Sequence, residues 1–165
     1  MRYYLDTEFV DDGKTIDLIS IGIVDQVGCS YYACSTDARL DLAPAWHREH
    51  VLPRLPSYDA PNWKPRARIR DEIANFVRRE NESVEFWGYV AAYDWIALVQ
   101  LWGRLLDLPS HFPNFIHDVK AVAQLHGVSC ARFGKPTVAH DAVLDARWTR
   151  DLHEWVDQQF MERKP

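Results

Sequence analysis

Two carboxylates follow the first hydrophobic run of the chain, and they limit how that run can be buried. Met1 to Leu5 has the aromatic and aliphatic content of a β-strand, and Asp6 and Glu8 come directly after it. Because strand side chains alternate between faces, both carboxylates point the same way, about 7 Å apart along the backbone. On a buried face they would repel each other and lose hydration, which a divalent cation with oxygen ligands compensates. For an isolated Asp-x-Glu, solvated residues at a strand end would be the ordinary interpretation.

Three residues far downstream favour the cation-binding interpretation. Asp94 lies near the start of a predicted helix, and Asp145 lies in the last predicted helix. His140 precedes Asp145 by five residues, which on a continuous helix would turn the two side chains about 140° apart. If Asp141 is the helix N-cap, His140 lies on the entering loop and can reach the pocket that Asp145 faces. The alternatives are a helix-start role for Asp94, favoured by the backbone dipole, and a core position for His140.

Four carboxylates and one histidine suit phosphodiester hydrolysis with two metal ions. Two cations about 3.5–4 Å apart hold the attacking and leaving oxygens of an in-line displacement. The carboxylates would bind the pair and offset its charge. A neutral histidine, whose unperturbed pKa is about 6.5, can take a proton from the attacking water.

The sequence resembles the DEDDh family of 3'→5' exonucleases. The resemblance rests on Asp-x-Glu in the first strand, a single Asp in a middle segment and His-x-x-x-x-Asp near the end, within the stretches RYYLDTEF, IDLISIGIV, AAYDWIAL and VAHDAVLDAR. It covers nearly the whole chain, is weakest over residues 104–139, and within the family points to the RNase AS group. It implies an α/β, ribonuclease H-like fold with a central mixed five-stranded sheet flanked by helices.

The resemblance also implies an activity and a role for each residue. RNase AS proteins are dimeric 3'→5' exoribonucleases that prefer polyadenylate. The expected substrate is therefore single-stranded RNA with 3' adenylates, and the expected products are mononucleotides. Two Mg2+ ions, or Mn2+, would be the cofactors. By resemblance the metal ligands are Asp6, Glu8, Asp94 and Asp145, and the general base is His140.

Two residues near the acidic pair are candidates for substrate binding. Phe9 follows the pair at the strand end, where the terminal base of a substrate must lie, and stacking a base on an aromatic ring is worth about 1–3 kcal/mol. Ser20, on the neighbouring strand, could meet a base or sugar edge. Arg66, Arg68 and Arg70 are interpreted as a solvated helix face, with phosphate contacts as the alternative.

The order of predicted elements independently indicates an α/β layer fold in one domain over residues 1–165. Three strands joined by short turns predict an antiparallel meander, and helices then alternate with strands. Residues 53–65 contain four prolines and predict a loop, whereas residues 129–139 show no clear period. The predicted strands cover residues 1–5, 16–24, 29–35, 84–89 and 115–117, and the predicted helices cover residues 44–52, 66–79, 91–102, 118–126 and 141–160.

Composition narrows the function classes and the location. A net charge of -5 argues against a protein that coats nucleic acid by bulk charge, but not against an enzyme that holds one strand end through metals. The three cysteines lack CxxC spacing and are interpreted as core residues of a reduced, cytoplasmic protein. We expect no signal peptide and no membrane span. Tryptophan content adds to the expectation of a homodimer, because one small core does not easily bury all of Trp46, Trp63, Trp95 and Trp102.

Two other functions remain open from the sequence. A DNA 3'→5' exonuclease or proofreading module would use the same scaffold, since discrimination of ribose depends on a contact to the 2'-hydroxyl. The second function is that of a catalytically inactive nucleic-acid-binding module. Such a module would be expected to lack a metal-binding carboxylate or the histidine. All five residues are present.

Overall fold

A mixed sheet forms the centre of the protein. The computed structural model describes residues 1–77 and 83–162, and within them the strand order is β4-β3-β2-β1-β5-β6. The first three strands form the predicted antiparallel meander, and β4, β5 and β6 each pair in parallel with a neighbour. The strands are β1 (Arg2–Asp11), β2 (Ile16–Asp25), β3 (Ser30–Ser35), β4 (Trp63–Lys64), β5 (Glu85–Gly88) and β6 (His117–Asp118).

The sheet has one strand more than the five predicted. The additional strand, β4, is only two residues long and lies inside the proline-rich segment that was predicted to be a loop. It pairs with the edge of β3 through Cys34 and Ser35. Such a short strand has no alternation of polar and apolar residues, so its sequence contains no periodic signal.

Helices cover both faces of the sheet close to the predicted positions. They are α1 (Ala45–His50), α2 (Arg66–Phe76), α3 (Ala92–Gln100), α4 (Val119–Leu125) and α5 (Ala142–Glu162). The predicted end of α2 at residue 79 lies outside the described residues. One core cluster joins α2 and α3 to Tyr3 and Leu5 of β1, and a second joins α4 and α5 to Tyr4. Alternate residues of β1 therefore belong to opposite cores.

A glycine sets how closely α5 approaches the sheet. Gly22 of β2 pairs with Asp6 of β1, and a Cβ at Gly22 would lie 2.3 Å from the carbonyl carbon of Ala142. No side chain fits that space, so the first turn of α5 rests directly on the backbone of β2. This contact places Asp145, in the same turn, over the strand that carries Asp6.

The remaining expectations about composition are partly corrected. Cys34 is buried and Cys130 is half-buried, but Cys29 is exposed, because it lies in the turn between β2 and β3. Among the residues that the structure describes, no helix is both long and apolar enough to cross a membrane.

Candidate active site

The central part of β1 brings two carboxylates to one position beneath α5. The strand continues to Asp11, so Asp6 and Glu8 lie in its middle and not at its end as predicted. Their side chains share the face that packs against α5, which adds Asp145. Carboxylate oxygens of Asp6, Glu8 and Asp145 lie within 4.8 Å of one another. Separations of this size allow one cation to contact all three groups after small side-chain adjustments.

Asp94 reaches the same site from α3 and is oriented by β1. Its Oδ1 accepts hydrogen bonds from Thr7 N at 2.8 Å and from Thr7 Oγ1 at 2.6 Å, which leaves Oδ2 available to a cation. Asp118 supports this arrangement, because its Oδ2 accepts from Ala91 N at 2.9 Å, directly before α3. The Oδ1 of Asp118 accepts from Ala121 N, which confirms the predicted N-cap of α4. One aspartate therefore fixes the starts of two helices.

The loop that enters α5 has the predicted arrangement. Asp141 caps the helix, since its Oδ1 accepts from Val143 N and Leu144 N. Asp145 Oδ2 accepts from the backbone N–H groups of His140 and Asp141, at 2.7 and 3.2 Å. His140 therefore lies on the loop, where its side chain lines the same cleft as Asp145.

Burial and mutual repulsion hold the carboxylate pKa values high. Burial, followed by the negative charges of Asp94 and Asp145, raises the pKa of Asp6 well above its ordinary value. The same causes raise the pKa of Glu8 to about 8. Burial raises the pKa of Asp94 to about 6, although the hydrogen bonds from Thr7 oppose the shift. Burial also raises the pKa of Asp145. A positive charge among these groups would remove the repulsion, so their electrostatics favour a bound cation.

The acidic cluster lies in a cleft of about 610 Å³. One wall is the segment after α4, which could not be placed from sequence; it contains a short 3-10 helix, Cys130–Arg132, followed by Gly134 and Lys135. Lys135 brings a positive charge to a cleft that otherwise contains four carboxylates. Sequence reasoning missed this wall because no periodic pattern marks it, and its position directly before the His-x-x-x-x-Asp motif was the available signal.

The two predicted substrate-binding residues have different positions. Phe9 lines the cleft and stacks in parallel on Tyr93 of α3, with ring centroids 5.6 Å apart. The pairing of β1 with β2 slips between Glu8 and Phe9, an irregularity of the kind that redirects side chains next to active sites. Ser20 pairs with Glu8 but is 1% exposed and lies outside the cleft lining, so the structure does not bring its hydroxyl to a substrate.

The three arginines of α2 have carboxylate partners. Arg66 bonds to Asp17, Arg68 to Glu72 and Arg70 to Asp71. Arg68 is exposed, as predicted, whereas Arg66 also contacts Ser35 and the carbonyl of Leu18 and joins α2 to the sheet. None of the three lines the cleft.

Two strained residues lie just before the helices that supply the acidic groups. Val90 precedes α3 with a φ of 58°, and His140 precedes α5 with a φ of 65°. A β-branched residue with positive φ is a genuine outlier, and such positions persist only where surrounding contacts impose them. The turns into Asp94 and Asp145 are therefore both held in costly conformations.

Comparison with solved structures identifies the fold. A structure of S. pombe Pop2p, described as its Mg2+ and Mn2+ bound form, matches with a TM-score of 0.69 and 13% sequence identity, over 98% of this chain and 84% of that one. The match confirms the predicted class, an α/β domain with a ribonuclease H-like fold.

The sequence comparisons identify the family. Residues 1–156 match the family model described as the 3'-5' exoribonuclease Rv2179c-like domain. Two curated proteins of Mycobacterium tuberculosis, 3'-5' exoribonuclease Rv2179c from strain H37Rv and 3'-5' exoribonuclease MT2234.1 from strain CDC 1551, are each 44% identical over 149 residues, which is 89% of this chain and 88% of theirs. The chain belongs to this family of 3'-5' exoribonucleases, and the prediction of that enzyme class is confirmed.

Proposed function

We propose that the protein removes mononucleotides from the 3' end of single-stranded RNA, with a preference for adenylate tracts, as in the RNase AS group that its motifs resemble. The reaction is hydrolysis of the terminal phosphodiester bond in the presence of two divalent cations, Mg2+ or Mn2+. Asp6, Glu8, Asp94 and Asp145 are the metal ligands, and His140 is the general base.

The observation that carries this proposal is the convergence of the carboxylates on the floor of one cleft. Three of them approach within 4.8 Å. Burial raises the pKa values of all four, and the charges of Asp94 and Asp145 add to the shifts of Asp6 and Glu8. An all-carboxylate set suits hard cations that prefer oxygen, and it does not suit metals that prefer thiolate or imidazole. Pop2p has the same fold and its structure is described as a Mg2+ and Mn2+ bound form, which supports this choice of cation.

Each residue of the site has a separate task in the proposed reaction. When bound, the two ions would activate the attacking water and stabilise the charge on the leaving oxygen. Asp94 and Asp145 are oriented by the hydrogen bonds on one of their oxygens, which fixes the direction of the other. His140 borders the cleft and takes the proton of the attacking water. Lys135, which also lines the cleft, is available to a substrate phosphate.

The preference for adenylate rests on resemblance and on the aromatic pair at the cleft. Phe9 and Tyr93 form a parallel stack, and Tyr93 is half exposed, so the pair offers a shelf for bases near the 3' end. Purines cover more of such a shelf than pyrimidines do. Stacking separates adenine from guanine poorly, because every base has a π-face, so the pair supports a preference for purines.

Digestion of end-labelled oligonucleotides tests the proposal. We expect a ladder of products shortened one nucleotide at a time from 5'-labelled poly(A), slower digestion of poly(U) and poly(C), and no reaction in excess EDTA. Equal rates on the three polymers would remove the adenylate preference. Internal cuts on a 3'-blocked strand would remove the exonuclease assignment, and full activity in EDTA would remove the metal requirement.

The same assay separates the two rival functions. Faster digestion of single-stranded DNA than of RNA would favour the DNA exonuclease on the same scaffold. Binding of RNA without magnesium-dependent product release would favour an inactive nucleic-acid-binding module. The intact set of four carboxylates and a histidine supports catalysis over binding alone.

The proposal includes a homodimer in the cytoplasm. Trp95 and Trp102 belong to or pack against the core, so they no longer support a dimer, whereas Trp46 is half exposed. On α3, Tyr93 and Ile96 are also exposed. Light scattering at micromolar concentration tests the assembly, and a mass near 19.2 kDa would show a monomer.

A further inference from the structure

An exposed tryptophan lies beside the active-site cleft and has no part in the catalytic steps proposed so far. Trp46 lies in α1, a helix of six residues, and its side chain is 48% exposed. A half-exposed tryptophan forgoes part of the stabilisation that full burial of its large apolar ring provides. Its position therefore calls for a reason other than core packing.

The exposed indole is in contact with the imidazole of His140. The two ring centroids are 4.9 Å apart and the rings are nearly perpendicular, at 85°. His50 completes the cluster, because it stacks on Trp46 with centroids 4.9 Å apart and an angle of 10°. Edge-to-face and stacked pairs of this kind are the preferred arrangements of aromatic rings.

His140 needs such a neighbour because its backbone is held while its ring is not. The backbone N–H of His140 donates to Asp145 Oδ2, so the Cα position follows the acidic cluster. Over residues 1–77 and 83–162, the ring of His140 has no hydrogen bond to protein, and its aromatic contacts are with Trp46 and His50. Packing against Trp46, together with His50, therefore limits its side-chain torsions.

The helix that carries Trp46 is itself fastened to the metal-binding strand. His47 Nε2 donates to the carbonyl oxygen of Phe9 at 2.9 Å, just beyond Glu8. His50 Nδ1 donates to the carbonyl oxygen of Trp46 at 3.0 Å, which keeps the His50 ring beside the indole. The position of Trp46 is therefore fixed relative to β1, the strand that carries two of the carboxylates.

We propose that Trp46 is a positioning residue for the general base: its indole holds the His140 imidazole in the orientation that accepts the proton of the attacking water. This inference rests on the proposed function, since it requires His140 to be the base. Trp46 acts through His140, so its removal should lower kcat and leave KM nearly unchanged. We expect a loss of about tenfold in kcat for Trp46→Ala, which corresponds to about 1.4 kcal/mol.

A double-mutant cycle tests whether Trp46 works through His140. Trp46→Ala and His140→Ala should each lower kcat on a short oligoadenylate, and the double variant should be no slower than His140→Ala alone. Trp46→Phe, which keeps an aromatic ring, should recover most of the activity. Trp63→Ala is the matched control, because Trp63 is a partly exposed tryptophan on β4, outside the cleft, and its loss should leave kcat unchanged.

A spectroscopic measurement gives a readout that does not depend on activity. In the metal-free protein, the imidazole carbon-bound protons of His140 should show a ring-current shift in NMR spectra, assigned by comparison with His140→Ala. Trp46→Ala should move these signals toward their free values, and Trp63→Ala should not. Both tryptophan variants should have the circular dichroism spectrum of the parent protein.

The outcomes distinguish this inference from the proposed function. Full activity of His140→Ala would overturn the general-base role, and this inference with it. A slow His140→Ala with a normal Trp46→Ala would overturn only the positioning role. A higher KM for Trp46→Ala in both backgrounds would show a direct contact with RNA instead, and additive losses in kcat would show that Trp46 does not act through His140.

Discussion

The interface between β1 and α5 contains two groups of buried titratable side chains, and they are arranged in opposite ways. Near the middle of the strand, Asp6 and Glu8 meet Asp145 in the acidic cleft. Nearer its start, Tyr4 of the strand meets His153 of the helix in the core. Both groups come from the same two elements and the same face of the sheet, so their differences reflect side-chain chemistry more than fold.

In the core group, the buried histidine has its hydrogen-bond and packing partners within the protein. His153 is 1% exposed, its Nδ1 lies 3.1 Å from the hydroxyl of Tyr4, and its ring packs 3.9 Å from that of Trp87. Burial lowers the pKa of His153 to about 4, so the imidazole is neutral at pH 7. A neutral, hydrogen-bonded histidine costs little to bury.

In the cleft the carboxylates repel one another. Burial and negative neighbours raise the carboxylate pKa values, and nothing among the described residues supplies a cation to the centre of the cluster. The comparison shows how a structural site differs from a ligand-binding site. The polar groups of the core are neutral and paired within the protein, whereas the carboxylates of the cleft repel one another and would be stabilised by a cation. The following predictions test that difference, from the largest expected effect to the smallest.

Removing one cleft carboxylate should abolish activity without loss of stability. We expect Asp6→Asn to reduce exonuclease activity to the background of the assay, because a ligand of the metal site is lost. The metal-free variant should melt at the same temperature as the parent or higher, since a repulsive charge is gone. Asp71→Asn, on the exposed side of α2, is the control that should keep full activity. A melting temperature well below that of the parent would contradict this account of the cleft.

Removing the histidine of the cleft should slow the chemistry and preserve metal binding. We expect His140→Ala to lower kcat by roughly 10²–10⁴-fold, the usual contribution of a general base. Titration calorimetry with Mn2+ should give the same number of ions as in the parent. If one ion were lost, His140 would be a ligand and the assignment of roles would be wrong. His126→Ala, at the C-terminal end of α4, is a suitable control.

Removing the histidine of the core should lower stability and largely preserve activity. We expect His153→Ala to lower the free energy of unfolding by about 2–3 kcal/mol, because it opens a cavity and removes the hydrogen bond between His153 and the Tyr4 hydroxyl. Activity of the folded protein should fall by less than tenfold, since every cleft side chain is retained and Gly22 still seats the first turn of α5. Denaturant unfolding and steady-state kinetics, both below the melting temperature, provide the two measurements. Activity lost to the same extent as in Asp6→Asn would remove the distinction between the regions.

The two groups should also impose opposite pH dependences on the metal-free protein. The folded protein takes up a proton on Glu8 as pH falls through about 8, whereas the unfolded chain does so only near its ordinary pKa, so stability rises from pH 9 to 7. Below about 6.5 the unfolded chain protonates His153 while the folded protein does not until about pH 4, so His153 opposes further gain in stability. Glu8 and Asp94, with folded-state pKa values of about 8 and 6, still favour the folded protein in this range, so the rise becomes shallower.

Thermal melts in EDTA between pH 5 and 9 measure this dependence. We expect stability to rise by about 1 kcal/mol from pH 9 to 7, or about 2–4 °C in Tm, and to change less below about pH 6.5. Glu8→Gln should reduce the rise between pH 9 and 7, and His153→Ala should make the dependence below pH 6.5 steeper. No rise between pH 9 and 7 in the parent protein would show that the pKa of Glu8 is not raised.

Much of this arrangement follows from local sequence signals. The helix caps Asp118 and Asp141 were predicted because short polar side chains before apolar runs satisfy free backbone N–H groups, and both are present. Alternation in β1 likewise predicts that Asp6 and Glu8 share a face, as they do. These features depend on residues close together in the chain.

The rest depends on contacts between distant residues. The wall around Lys135 has no repeating pattern, and the partnership of Trp46 with His140 joins residues from opposite halves of the chain. Ser20 was predicted as a binding residue from its strand alone, and the burial of its side chain in the structure depends on residues that pack against that strand. The positive φ of Val90 is imposed by its surroundings, since its residue type disfavours that conformation.

The length of α5 explains why its contact with Gly22 matters for the cleft. The helix has 21 residues, rests on Gly22 at one end and is held near its middle by His153. Asp145 and His153 are eight residues apart, or about 12 Å along the axis, so if His153 were the only support, a tilt of about 5° there would move Asp145 by about 1 Å. Misplacement by about 1 Å can cost about 10²-fold in rate. The helix is a beam with two supports, and the support at Gly22 separates the position of Asp145 from small changes in the packing of the core.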